Sequence, residues 1–572
     1  MRRLIRFNAS IAALVLGFGT VALASPLTPD WSKTATIDPY GRANPYGWDA
    51  QTLKEKTRLG LVSALNYPVE TTGILLPPKP FFKFLDAKPG EPLFDFMKSV
   101  LSLNSDFADF SGIWDWMGLS AYPNTDSEIP YPFGTKPDYP MGISFLRRGQ
   151  ETGFTFSCAV CHTSELFGKP VMGLSNRFEQ ANLIFVYGKK FLHDVSPSEL
   201  AFLTNATPGE TGLYAEARDH ITSVGTKRPA TLGLDTALSQ VVLSLAKRRN
   251  SPWAERDPAS EANPRPTLLQ TETADSKPSV WWNAKYKTRW LSDGAVVSGS
   301  PILTNIIWNE LGRGGDLKEL YAWMNENTEV LENLTTAVFA TQAPKWADFI
   351  PTSKLNLVSA KRGETLFVQN CAHCHGSYEK AWSLSANEFL AQKSKNQALT
   401  IADTLRVKYF SQTRVVDVGT DASRRIGMNE IARFLNPLAI SEQLGIVNVT
   451  QDGYVPPPLD GIFARFPYLH NNSIPNLCAL MTKPANRPVT YTSGKAIDPE
   501  TDFDQTCVGY PTGAKIPVAW LTDRDASLHL YDTRVPGLSN SGHYDGIFTN
   551  NDGSERYNRS QKSDLIEFLK TL

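Results

Sequence analysis

The sequence predicts a mainly α-helical protein with large irregular loops and little β-structure, organised as two related halves. Three observations carry this expectation. A Cys-x-x-Cys-His run occurs twice, at Cys158-Ala159-Val160-Cys161-His162 and at Cys371-Ala372-His373-Cys374-His375. Stretches with apolar residues at helical spacing follow the first run and flank the second. Gly and Pro, 39 of each in 572 residues, punctuate the long connections between them.

Cys-x-x-Cys-His is the attachment signature of c-type haem. Two thiols three positions apart lie on neighbouring faces of one helical turn, so each can form a thioether to a haem vinyl group. The histidine beside the second thiol then lies under the iron. The alternatives are a redox Cys-x-x-Cys or a zinc site. A structural zinc site needs four ligands, and neither run has a second local pair. Two covalently attached haems are therefore expected. Cys158, Cys161, Cys371 and Cys374 are the attachment thiols, and His162 and His375 are the proximal iron ligands.

Composition narrows the class. A net charge of -1 with 20% charged residues offers no electrostatic case for a nucleic-acid partner. A hydrophobic content of 41% is ample for buried cores. Arg2, Arg3 and Arg6, an apolar run over 11–23 and the small-x-small triplet Ala22-Leu23-Ala24 predict a signal peptide over 1–24, with Ser25 the first mature residue. The alternative is an uncleaved anchor, for which the apolar run is short. A periplasmic or secreted location follows, with no stable membrane insertion after cleavage. Outside the haem motifs only Cys478 and Cys507 remain, a disulfide or two buried thiols; an oxidising compartment favours the bond.

In chain order, the apolar spacing predicts a short helix over 93–103, after the Pro-rich Leu76-Pro77-Pro78-Lys79-Pro80. Gly168-Lys169-Pro170 and Gly173-Leu174-Ser175-Asn176 read as loop around the first motif. Asp235 caps a helix with Leu238, Val241, Val242 and Leu245 as its apolar stripe. Lys247, Arg248 and Arg249 form its solvated end. Residues 250–278 read as a surface connection leading to Val280-Trp281-Trp282-Asn283. A boundary near Pro351-Thr352-Ser353 separates an N-terminal haem domain with long loops, 25–350, from a C-terminal one, 351–572. A helix over 358–370 runs into Cys371. With Arg362-Gly363-Glu364-Thr365-Leu366-Phe367 it resembles the opening helix of class I cytochrome c, implying two cytochrome c-like haem domains. In that family a glycine lets the C-terminal helix cross closely. Here Gly363 and Phe367 are expected to meet a helix over 564–572 through Leu565, Phe568, Leu569 and Leu572.

The halves share a second segment. Pro278-Ser279-Val280 followed by Trp290-Leu291-Ser292-Asp293-Gly294 parallels Pro456-Pro457-Pro458 followed by Tyr468-Leu469-His470-Asn471-Asn472, without a gap. The second copy resembles the Pro-Tyr-x-His segment of the dihaem cytochrome c peroxidase superfamily. The closest resemblance is to its dihaem rubber oxygenases, through Trp281-Trp282, Tyr468-Leu469-His470-Asn471-Asn472-Ser473 and Gly537-Leu538-Ser539-Asn540-Ser541-Gly542-His543.

That resemblance implies His543 as the distal ligand of the second haem, with His470 in a supporting hydrogen-bond role. Met428 and Met481 are the thioether alternatives. His373 faces outward, and His193, His220 and His529 are isolated. The first haem has no comparable distal candidate, since Ser292 stands where His470 stands in the other copy. Its sixth site is expected to be open to O2 or H2O2. Trp281 and Trp282 either line its distal pocket or are core aromatics. The implied activity is an exported dihaem c-type cytochrome oxidoreductase. Its N-terminal haem activates O2 to cleave an apolar alkene polymer, and its C-terminal haem is the redox partner. One alternative is a peroxidase reducing H2O2 with electrons from a small redox cytochrome, assisted by a carboxylate such as Glu165 or Glu179. The other is a non-catalytic electron carrier.

Overall fold

The computed structural model describes residues 35–101, 112–522 and 529–572; the expected signal segment, 1–24, lies outside them. The described chain is mainly helical. Its strands form only two-stranded antiparallel pairs, such as Ile143–Arg148 with Glu151–Phe156 and Thr163–Leu166 with Lys169–Met172. Among the described residues no helix is long and apolar enough to cross a membrane.

The helix entering the second motif is Leu357–Asn370, capped by the Asn356 side chain on the Ser359 N–H. The C-terminal helix is Arg559–Leu569 and starts before the predicted position 564. Asn558 and Gln561 form a capping box there, so polar residues that read as loop are already helical. The two helices cross at Gly363. A Cβ there would lie 1.9 Å from the Asp564 carbonyl oxygen, so only glycine permits this approach. Phe367 packs on Phe568 with ring centres 5.1 Å apart, and Leu565, Phe568, Leu569 and Leu572 are buried as expected. Each such side chain contributes roughly 1.5–3 kcal/mol on burial.

A second close helix pair, Ala50–Leu65 on Thr328–Ala340, uses the same device: a Cβ on Gly60 would lie 1.9 Å from the Asn333 carbonyl oxygen. The predicted 93–103 helix is Pro92–Leu101, and 102–111 lie outside the described residues. The helix after Asp235 is Ala237–Ala246, and Asp235 accepts the Ala237 N–H. Its basic end departs from expectation. Arg248 is only 1% exposed and donates to the Gly315 carbonyl at 2.9 Å, and burial pulls its pKa down to about 10. The packing of Leu311–Leu317 over that helix end removes it from water.

The cores do not divide at 350/351. One joins Ala237–Ala246, Pro301–Leu311 and Thr328–Ala340 to Ser423–Leu435 from beyond that point. Another surrounds the second motif yet includes Leu166, Leu174, Val280 and Trp282. The exchange has its centre in the repeated segment. Trp290 N–H donates to the Val296 carbonyl at 3.0 Å, and Tyr468 N–H to Ile474 at 2.7 Å. Leu291 and Leu469, at corresponding positions, both have left-handed φ, 72° and 64°. The copies also bond to each other reciprocally. Lys277 N–H donates to the His470 carbonyl at 2.8 Å, and its counterpart Val455 donates to Ser292, the counterpart of His470, also at 2.8 Å.

Candidate functional site

The second motif forms a one-turn helix, Ala372–His375, continuing from Leu357–Asn370. The His375 Nδ1–H donates to the Pro457 carbonyl at 2.8 Å, which fixes the tautomer and leaves Nε2 free for a metal. Cys371, Cys374 and His375 line a cavity of about 270 Å³. His543 stands across it, its ring centre 6.2 Å from that of His375. Two imidazoles on opposite sides of one ion, each bonded at about 2.0–2.1 Å, have ring centres about 6 Å apart. The pair therefore fits a single haem iron. Burial pushes the pKa of His375 down to about 4 and that of His543 down to about 3, keeping both in the neutral form that ligation needs.

The loop carrying His543 is held from three sides. Its backbone N–H donates to Val418 at 2.7 Å. Asn471 donates to the carbonyls of Gly537 and Ser539 at 3.2 and 3.0 Å. Arg487 donates to Gly542 at 2.9 Å. Gly542, at φ 75°, lies so close to Gly419 that a Cβ would come within 2.3 Å of its backbone. His470 and Met481 line the same cavity, but His470 is stacked on Tyr454 at 4.0 Å. Met428 is buried in the other core, away from this cavity, and His373 is exposed. Cys478 and Cys507 are joined in a disulfide across 29 residues, and the Leu477 N–H bonds to Cys507 at 2.9 Å beside the cavity wall.

The first motif also forms a single turn, Ala159–His162, between two hairpins. The Ser279 carbonyl, counterpart of Pro457, approaches the His162 imidazole without closing a hydrogen bond of good geometry. Cys158, Cys161 and His162 line a cavity of about 200 Å³, whose described lining includes no other histidine and no methionine. Phe156, Phe185, Leu291 and Trp308 give it an apolar side, while Asn182, Asp235, Gln240 and Arg424 give it a polar one. Asn182 donates to Gln240 at 2.9 Å, and Arg424 pairs with Asp293 at 3.3 Å. The Trp308 indole N–H and the Ser292 hydroxyl, both in this wall, are buried without a hydrogen-bond partner among the described residues.

Behind Asp235 lies Glu179, fully buried and interacting with Cys161. Burial, then the charge of Asp235, pushes Glu179 well above the usual carboxylate range. Burial also raises Asp235. Both shifts favour the protonated carboxyl over the charged one. Sequence reasoning reached Glu179 without its partner and read Asp235 only as a helix cap. No local signal joins them; the chain turn that places Gly233 on the Arg177 carbonyl does.

Trp281 and Trp282 do not line this cavity. The Trp281 ring sits 5.6 Å from the His162 ring, and its backbone N–H donates to Gly173 at 2.9 Å. Trp282 points into the other core, with its indole N–H on the Asp460 carbonyl at 3.0 Å. Because 278–280 run past His162, the next residues arrive on the histidine's side, and the turn Trp281–Tyr286 sends Trp282 onward.

Residues 453–492 match the family model described as RoxA-like, cytochrome c-like. This stretch supplies Pro457, Arg465, Tyr468 and His470 to the wall of the His375 cavity. Two curated relatives are uncharacterized proteins of Sinorhizobium fredii. The protein y4iM is 30% identical over 227 residues, 38% of this chain and 49% of y4iM. The protein y4iJ is 34% identical over 119 residues, 20% of this chain and 17% of y4iJ. The chain thus spans about half the length of the first relative and less of the second. The RoxA-like segment links the chain to the rubber oxygenases, and its cytochrome c-like character implies covalent c-type haem.

Proposed function

We propose that the protein is an exported dihaem c-type cytochrome oxidoreductase with one reactive and one electron-relaying centre. The observation that carries this reading is the difference between the two cavities. One holds His543 opposite His375, and the described lining of the other holds no histidine or methionine besides His162. Bound haem would supply the redox chemistry, and the described lining of the first cavity offers no second histidine or methionine to compete there with O2 or H2O2. The chain's residues do the rest. His375 and His543 would hold one haem iron between them. Phe156, Phe185 and Trp308 offer an apolar substrate a surface at the other, and Arg424 and the Asp235–Glu179 pair hold charge and a proton beside it.

The leading activity is O2-dependent cleavage of an apolar alkene, supported by the RoxA-like segment. Peroxide reduction is the second reading, favoured by the proton held at Asp235 and Glu179, since a carboxylic acid at the reactive face assists O–O cleavage. The test is the spin and ligand state of each haem in the resting protein, followed by turnover. One high-spin or O2-binding haem with O2 uptake on a polyisoprene substrate is the expected result. Turnover that requires peroxide and a reduced cytochrome would select the second reading. Two low-spin haems inert to CO would overturn both and leave an electron carrier.

A further inference from the structure

The wall between the two cavities carries more buried basic side chains than the carboxylates beside it can pair. Lys277, Lys287 and Arg465 all line the His375 cavity, and Lys277 lines the other cavity as well. The Lys277 ammonium is bonded to main-chain carbonyls only, Arg465 at 3.0 Å and Pro467 at 2.5 Å. Arg465 donates to the Pro458 carbonyl at 2.7 Å. The Lys287 ammonium has no hydrogen-bond partner among the described residues, although the residue is only 8% exposed. Arg177 stands behind this group, its guanidinium on the carbonyls of Ala464, Phe466 and Glu165.

The carboxylates in reach are already engaged. Asp293 pairs with Arg424, and Asp460 lies between Lys285 and Arg465. Burying an unpaired ammonium is expensive, and an anion that meets it offsets that cost. Much of the remaining wall is apolar, with Phe367, Leu480, Phe548, Leu565 and Leu569 in it. An apolar chamber with cations at one wall matches one kind of occupant: a flat apolar macrocycle carrying carboxylates.

We propose that Lys277, Lys287 and Arg465 form the anion cradle of the haem held by His375 and His543, taking its propionate carboxylates and setting how readily that haem accepts an electron. Because Lys277 belongs to both walls, its charge acts on both centres. This inference rests on the covalent haem of the second motif alone, not on the oxidant used at the first.

The test is an optical redox titration of the full-length haem-loaded protein with Lys287→Gln and Lys287→Arg. A nearby cation favours the reduced form, so Lys287→Gln should lower the midpoint of the low-spin haem. The expected size is about tenfold in the oxidised-to-reduced ratio, or about 59 mV for one electron. Lys287→Arg should keep the midpoint, and so should Lys285→Gln, which removes a cation bonded to Thr341 outside this cavity. A fully loaded Lys287→Gln protein with an unchanged midpoint overturns the proposal. Should Lys287→Gln fail to retain haem, full loading of Lys287→Arg supports the cradle, and equal failure of both overturns it. A haem count of one per chain would sink the dihaem reading while leaving this titration interpretable.

Discussion

Replacing Gly363 by alanine should destabilise the C-terminal haem unit, although alanine is the better helix former. The propensity gain is about 1 kcal/mol. Against it, the new Cβ would lie 1.9 Å from the Asp564 carbonyl oxygen, whereas unstrained contact needs about 3.5 Å. Neither partner is a flexible side-chain end, so the helices must part by roughly 1.5 Å, a forfeit of close packing. That separation loosens Phe367 from Phe568 and Leu565 from the first helix. Overpacking of this kind costs about 1–3 kcal/mol, and partial loss of two buried side chains adds to it. The net expectation is a loss of about 2–4 kcal/mol. Chemical denaturation followed by haem absorbance and far-ultraviolet circular dichroism reads it as a lower midpoint. Gly188→Ala is the control. It is also within a helix, but its added Cβ meets nothing within 4 Å, so it should be neutral or stabilise by up to about 1 kcal/mol. A Gly363→Ala protein as resistant as the parent would refute the close-crossing argument.

His543→Ala should convert the low-spin haem to high spin, whereas Met481→Ala should leave its spectrum unchanged; an unaltered spectrum in His543→Ala would assign the sixth ligand elsewhere. Asp235→Asn should lower peroxide turnover by about 100-fold, the lower end of what positioned acid–base groups contribute. The pH dependence has a definite sign. The folded carboxyls at Glu179 and Asp235 are raised above their unfolded values, so their contribution to stability is complete below the unfolded range and is lost as pH rises through the raised folded values. Asp235→Asn should therefore flatten the decline in stability on the alkaline side, measurable by denaturation across pH 4–9 (about five pH units). Cys507→Ser should cost about 2–5 kcal/mol through loss of the loop closure, seen as a lower denaturation midpoint and a free Cys478 thiol by mass spectrometry.

The features legible in the sequence are those whose chemistry is local. Cys-x-x-Cys-His needs only its own helical turn, and the Gly363–Phe367 spacing follows from one helical face. The Pro457 segment declared itself through a gapless copy, and the copy supplied a carbonyl toward each proximal histidine. The role expected of His543 rests on the family resemblance and its glycine-rich loop, where Gly542 packs closely on Gly419. What stayed hidden depends on which elements cover which. Arg248 looks like any basic helix end until the Gly315 turn closes over it. Two adjacent tryptophans read as a pocket wall or as core aromatics, and only the tight turn shows that they enter different cores. Glu179 and Asp235 are remote in sequence, and only tertiary packing makes one the other's neighbour.

The reciprocal bonds of Lys277 with His470 and of Val455 with Ser292 carry a larger consequence. A contact in which each position meets the counterpart of its partner is what a two-fold operator generates between identical subunits. Here both subunits are one chain, so the operator survives in the backbone while the side chains have diverged. Lysine faces valine across it, and serine faces histidine. The spacing of the two cavities is thus written in main-chain bonds that no substitution of those side chains removes. Mutation can recharge the lining of either cavity and leave the distance between them as it was.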